Sequence, residues 1–157
     1  PAVGVHVRRG DSCFHAAQAG TRPTCRSLDE YAPHVIDMLG RYGGSHVHLS
    51  ADDQEAAEDL AGRLRGAGAT VSLLSFDRSI LQGDWFIEHR VEAGALDPRL
   101  VIESALLDTL LLAQCDALVL TLASQMSRLA LSLAAARTGV PPPYVSLDGR
   151  AWGCCGW

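Results

Sequence analysis

The residues best able to do chemistry stand together near the start of the chain. Val3-Gly4-Val5-His6-Val7 is a short β-branched run that ends in Arg8-Arg9-Gly10-Asp11, the pattern of a buried strand feeding a loop. Alternation puts His6 and Arg8 on the same side of that strand, with Arg9 following in the loop. Two guanidiniums at a strand end suit an anionic ligand, because each offers a planar fork to phosphate oxygens. Residue types alone fit an Arg pair solvated at the strand end, or tied to Asp11, equally well. No G-x-G-x-x-G follows the strand, so dinucleotide binding of the NAD kind is not expected. Arg9-Gly10-Asp11 is also an adhesion-type tripeptide, but a position directly after a core strand does not display it.

Three more places carry candidate groups. Thr121-Leu122-Ala123-Ser124-Gln125 joins a strand end to a helix start, where Ser124 and free backbone N–H groups would receive an anion with the helix dipole behind them. Ser124 as a simple N-cap, worth about 1 kcal/mol, is compatible with that role. Asp108 lies among Leu106, Leu107, Leu110 and Leu111, and a carboxylate there needs a partner or a ligand. An acceptor of this kind suits the N1–H and N2–H₂ edge of guanine, and a salt bridge to an Arg fits as well. Asp52-Asp53 resembles the acidic pair of metal-dependent glycosyltransferases, although Asp52 with Glu55 reads as an ordinary capping box. His46 and His48 share one face of a strand and have the residue type for a metal, but satisfied half-buried histidines are the commoner case.

These groups need elements to hold them. After the first strand a loop runs to about Arg26, and Ser27-Leu28-Asp29-Glu30 opens a helix reaching Leu39. Gly43-Gly44 breaks it before a strand over His46–Ser50, and Asp52-Asp53-Gln54-Glu55 starts the next helix. Gly66 and Gly68 end that helix ahead of a third strand, Thr70–Leu74. Residues 76–98 read as irregular. A strongly apolar helix covers Leu100–Gln114, Ala117–Thr121 is a fourth strand, Ser124–Arg137 a helix, and Tyr144–Ser146 a short last strand. Strands alternating with helices, apolar on both faces, predict a doubly wound parallel sheet in an α/β domain. Ligands of such sheets bind at the carboxyl ends of the strands.

The bulk numbers agree with one domain over residues 1–157, since a chain of 157 residues buries roughly 70% of its unfolded surface. A net charge of −5 argues against a nucleic-acid partner, which calls for a basic face. The chain has no Lys and no Asn, and its thirteen basic residues are all Arg; a GC-rich genome explains this, so arginine abundance says nothing about phosphate. The most apolar stretch, Leu100–Leu122, carries Glu103, Asp108 and Asp116 and reads as a buried helix and strand rather than a membrane anchor. An opening directly on a core strand suggests a piece of something longer. Cys13 and Cys25 bracket a short loop where a disulfide could form in an oxidising compartment. Cys115, in an apolar run, reads as a small core residue.

Taken in order, these signals resemble one family. Gly4-Val5-His6-Val7-Arg8-Arg9-Gly10-Asp11 is similar to the first signature of the α1,6-fucosyltransferases. Asp52-Asp53, Leu107-Asp108 with the Leu-rich stretch, Thr121-x-x-Ser124-Gln125-x-x-Arg128 and Ser146-Leu147-Asp148 resemble the remaining signatures in the same order. The resemblance implies the Rossmann-like, GDP-fucose-binding half of a GT-B glycosyltransferase that transfers fucose with inversion to a sugar hydroxyl, needing no metal and no cofactor. It implies donor contacts from His6, Arg8, Arg9, Asp11, Asp53, Asp108, Ser124 and Gln125, with Arg8 and Arg9 at the diphosphate and Asp108 with His6 at the guanine. Its members related to the core-fucosylating enzyme carry a Lys and then a Glu after the first signature, where this chain has Ser12-Cys13-Phe14-His15-Ala16. That leaves His15 as the candidate base, its pKa being suitable. A non-catalytic nucleotide-sugar-binding domain that has lost its base is the alternative, and a metal-dependent transferase using Asp52 and Asp53 is a third. The resemblance further implies a glycan acceptor, free or carried by a glycoprotein, and a Golgi lumenal setting from a membrane-anchored full-length protein.

Overall fold

The computed structural model describes residues 1–10, 13, 25–81 and 86–152. Five strands form one sheet: β1 (Ala2–Val7), β2 (His46–Ala51), β3 (Thr70–Ser72), β4 (Ala117–Leu120) and β5 (Tyr144–Ser146). Their order is β3-β2-β1-β4-β5, and every pairing is parallel. Between them run α1 (Leu28–Tyr42), α2 (Gln54–Gly66), a 3₁₀ turn (Arg78–Leu81), α3 (Ile87–Glu92), α4 (Pro98–Ala113) and α5 (Gln125–Thr138). This is the doubly wound α/β fold that the alternating pattern predicts. Residues 76–98, expected to be irregular, contain the 3₁₀ turn and α3; both are too short to leave a 3.6-residue apolar period in the sequence.

Strand alternation sorts the two faces of the sheet. Val3, Val5 and Val7 of β1, with Val47 and Leu49 of β2, pack against Tyr31 and Val35 of α1 and Leu60 and Leu64 of α2. The opposite face carries Leu118 and Leu120, which pack against Leu112, Leu131 and Ala134 from the α4–α5 side. Gly4 points to that side, and a Cβ there would stand 2.7 Å from Leu118 Cδ2 and 3.1 Å from Cys115 Cβ. The strand can lie this close to its neighbours only without a side chain.

On β1 and β2 the same alternation turns His6, His48 and Ser50 toward the second layer, and all three are buried. Helix α4 meets them with its polar side: Ser104, Asp108 and Thr109 are buried, while Leu106 is 52% and Leu110 50% exposed. Leu100–Leu122 is therefore not a wholly buried helix and strand. Strand β4 is buried throughout, but α4 turns Ser104, Asp108 and Thr109 inward ahead of Leu112 and Ala113 and leaves several leucines outward, because the sheet surface beneath its middle is polar. No described helix is long and apolar enough to cross a membrane.

Candidate functional site

The sheet order reverses between β1 and β4, so the loops leaving those two strands diverge and open a crevice at their carboxyl ends. A cleft of about 520 Å³ lies there, and His6, Arg8, Asp52, Asp108, Ser124 and Gln125 all line it. One concave site thus gathers the β1 exit, the β2 exit, the middle of α4 and the start of α5.

Register explains the first contact. Val7 pairs with Ala51 across β1 and β2, so the next residues, Arg8 and Asp52, leave the sheet side by side. The Arg8 guanidinium forms an ion pair with the Asp52 carboxylate. Asp52 Oδ1 also accepts from the backbone N–H groups of Arg9 at 2.8 Å and Gly10 at 3.0 Å. Asp52 therefore clamps the exit of β1 and does not cap a helix. The cap of α2 is Asp53, whose Oδ1 accepts from Ala56 N at 2.7 Å. The acidic pair splits between two tasks, and both carboxylates are engaged by protein donors, which does not suit a shared metal ion. Among the described residues no cluster of three or more His, Cys, Asp or Glu could hold one.

Arg8 and Arg9 part company as well. Arg8 lines the cleft, whereas Arg9 stands toward α2. There Asp59 is held below its ordinary carboxylate value, by hydrogen bonding to Arg63 first and by the Arg9 charge in addition. Asp53, similarly, is taken up by its capping role and is not among the cleft-lining residues. Asp11 and His15 lie outside the described residues. Cys13 and Cys25 are joined by a disulfide with Cα atoms 5.6 Å apart, within the normal range for such a bridge. Cys115 is a buried free thiol whose pKa burial pushes up to about 11.

His6 is 2% exposed, and its Nδ1 lies 2.7 Å from Ser127 Oγ on α5. Burial brings its pKa down to about 4, against the opposing pull of Asp52, so the ring is a neutral hydrogen-bonding group at neutral pH. Asp108 is 4% exposed. Among the described residues its nearest ionisable partner is His48, whose Nε2 faces Oδ1 at 3.6 Å with neither atom making a hydrogen bond, and the charge of Arg78 is also felt there.

The β4–α5 junction is as the sequence pattern predicts. Ser124 takes the N-cap position of α5 without a side-chain capping bond, and with Gln125 it borders the cleft. What fixes the junction is Asp148, just beyond β5. Its carboxylate accepts from Ala123 N at 2.6 Å, Leu122 N at 3.3 Å and the Ser146 hydroxyl. Burial would raise the pKa of Asp148, but hydrogen bonds from Ser146, Ala123, Arg150 and Leu122 hold it below the ordinary value.

Sequence reasoning missed Asp52 as a cleft residue, and also Ser50, Phe76 and Glu88, which line the cleft from β2, the β3 exit and α3. The parallel pairing of the first two strands was a usable signal for Asp52, since it sets the residues after each strand side by side. Nothing in local sequence points to Phe76 or Glu88.

No protein-family model and no curated protein matches the sequence. Solved structures do share the fold. The chain superposes on the crystal structure of POFUT1 in complex with GDP-fucose with a TM-score of 0.63 and 12% identity, over 96% of this chain and 42% of that one. For a crystal structure of POFUT1 in complex with GDP the TM-score is 0.61 at 12% identity, over 93% of this chain and 42% of that one. This chain thus spans well under half the length of these structures, and the likeness is one of fold.

Proposed function

We propose that the chain is the donor-binding half of a fucosyltransferase that takes GDP-fucose in the cleft at the β1–β4 crevice. The observation that carries this reading is the convergence on one cleft of Arg8, Asp108, His6, Ser124 and Gln125, five of the eight residues that the sequence resemblance assigns to the donor. The fold shared with POFUT1, whose crystal structures hold GDP-fucose and GDP, supports the same donor.

In this reading Arg8 carries the diphosphate. Departure of GDP puts negative charge on the β-phosphate, and a preorganised guanidinium stabilises that charge as it develops. Asp52 supplies the preorganisation, holding the guanidinium at the sheet edge. The start of α5 adds backbone N–H groups and the Ser124 hydroxyl on the other side of the crevice. Asp108 and neutral His6 form the polar floor that reads the base, the carboxylate accepting from guanine N1–H and N2–H₂. Transfer with inversion to a sugar hydroxyl, without metal, completes the proposal; the α1,6 linkage, the glycan acceptor and a Golgi lumenal setting belong to it as expectations from the sequence resemblance. Arg9, Asp11 and Asp53 are proposed for the donor only on that resemblance.

A second reading has its own observation. The stretch Ser12-Cys13-Phe14-His15-Ala16 lacks the Lys and Glu of the related signature, which favours a domain that binds the nucleotide sugar without turning it over. The two readings separate on incubating the full-length protein with labelled GDP-fucose and a glycan panel. Transfer that His15→Ala abolishes supports catalysis with that base. Tight donor binding with no transfer to any acceptor supports the binding domain.

A further inference from the structure

Beneath the cleft floor, a line of polar side chains runs through the second layer of the sheet toward the edge strand β3. Asp108 Oδ1 faces His48 Nε2 at 3.6 Å. His48 Nδ1 lies 3.5 Å from Ser72 Oγ, which is itself 3.1 Å from His46 Nε2 and 3.3 Å from the Val47 carbonyl. Parallel register builds the line, because His48 pairs with Ser72 across β2 and β3 and His46 with Thr70. Asp108 and His48 are both buried, and Asp108 Oδ1 and His48 Nε2 are sealed from solvent without a hydrogen bond. Two such atoms facing each other are costly unless a proton lies between them.

We infer that His48 is a positioning residue for the base-reading carboxylate: it carries its proton on Nε2, directs it at Asp108 Oδ1, and thereby turns the other carboxylate oxygen to the ligand in the cleft. This rests on the proposed role of Asp108 and adds to it a residue that does not line the cleft. The carboxylate fixes the tautomer. An ionised carboxylate oxygen only accepts, so the ring nitrogen that faces it, Nε2, is the one that carries the proton, and Nδ1 is left facing Ser72 Oγ, which donates to the Val47 carbonyl. At 3.6 Å the Asp108–His48 contact is longer than a hydrogen bond, and contacts of this kind close when the ligand is bound. A carboxylate held on one oxygen presents the other in a single orientation, and a ligand offering two N–H donors on one edge gains from that where adenine and uracil rings do not.

Calorimetric titration of the chain with GDP and with ADP tests this, alongside Asp108→Ala, His48→Leu and His48→Gln. His48→Leu is expected to weaken GDP about tenfold, the scale of one hydrogen bond to a charged group, and to leave ADP unchanged. His48→Gln, which keeps a donor near the same place, is expected to recover most of the GDP preference. A folded His48→Leu variant with the wild-type GDP-to-ADP ratio, while Asp108→Ala loses it, overturns the role of His48 alone. An Asp108→Ala variant that keeps the ratio overturns the reading of Asp108 and this inference with it. A measurement on the unmutated chain stands whether or not the variants fold: long-range ¹⁵N–¹H correlation of the His48 ring is expected to show a proton on Nε2. A bare Nε2 contradicts the inference.

Discussion

Arg8 is ion-paired to Asp52 at the cleft, and the two residues are expected to fail together. If the proposed transfer takes place, Arg8→Ala should lower its turnover in the full-length protein by roughly 10²–10³, as for loss of one preorganised donor. Arg8→Lys should recover only part of it, since an ammonium keeps the charge and loses the fork. The chain should still fold, which circular dichroism checks; full activity of Arg8→Ala would remove the proposed role. Asp52→Ala reaches further, because it also strips the acceptor from Arg9 N and Gly10 N, and about 1–3 kcal/mol of stability should go with it. His6 sets a pH dependence. Its folded pKa is about 4 against 6.5 for the free ring, so between those values the unfolded chain binds a proton that the folded one refuses. Stability from this residue is therefore present above about pH 6.5 and lost as the pH falls toward 4, by about 3 kcal/mol at most. Denaturant titrations from pH 7 to 4 on the wild type and on His6→Gln should diverge over that window. Parallel curves would mean that His6 is not buried in neutral form. At this scale the sequence was legible for His6, Arg8, Asp108, Ser124 and Gln125, whose types and positions agree with the cleft. It was not legible for Asp52 and Asp53, because adjacent acids before a helix look alike until register says which one faces a neighbouring strand.

Helix α4 shows what a helix does when the sheet beneath it is polar. Its apolar residues occur nearly all round, so periodicity gave its existence and extent but not which side is buried. The choice falls to β1 and β2, whose inward alternation presents His6, His48 and Ser50 to α4. Two substitutions separate the sides. Leu110→Asp, at a position 50% exposed, should change stability within about 0.5 kcal/mol. Leu112→Ala, at 1% exposure, should cost about 2–5 kcal/mol. Chemical denaturation of both variants checks the orientation, and equal losses would contradict it. The β4–α5 junction depends likewise on an element beyond it: Asp148→Ala frees Leu122 N and Ala123 N and should loosen the start of α5. Faster amide exchange at Ala123 is the expected result, and unchanged exchange would deny the latch. The capping box at Ser27 and Glu30 was readable, and both of its hydrogen bonds form, because it is a local pattern. The Asp148 latch was not, since 25 residues separate its partners.

At the scale of the whole molecule, the strand order β3-β2-β1-β4-β5 turns scattered signals into one site. Alternating apolar strands and helices made the doubly wound sheet readable from the sequence, and the sheet then dictated where a ligand goes. Residues about a hundred positions apart, Arg8 and Asp108, meet because β1 lies centrally and α4 packs across its carboxyl end. Residues such as Phe76 and Glu88 join them from connections with no periodic signature, which is why the walls of the cleft were less legible than its floor. The central claim is that this cleft takes a guanosine diphosphate sugar, with Arg8 on the phosphates and Asp108 on the base. Titrating the chain with GDP, UDP and ADP by calorimetry, in the wild type and in Asp108→Ala, tests it most directly. GDP is expected to bind best to the wild type, and the preference to disappear in Asp108→Ala while weak binding through the phosphates remains. Equal affinity of the wild type for all three nucleotides, or none for GDP, would contradict it.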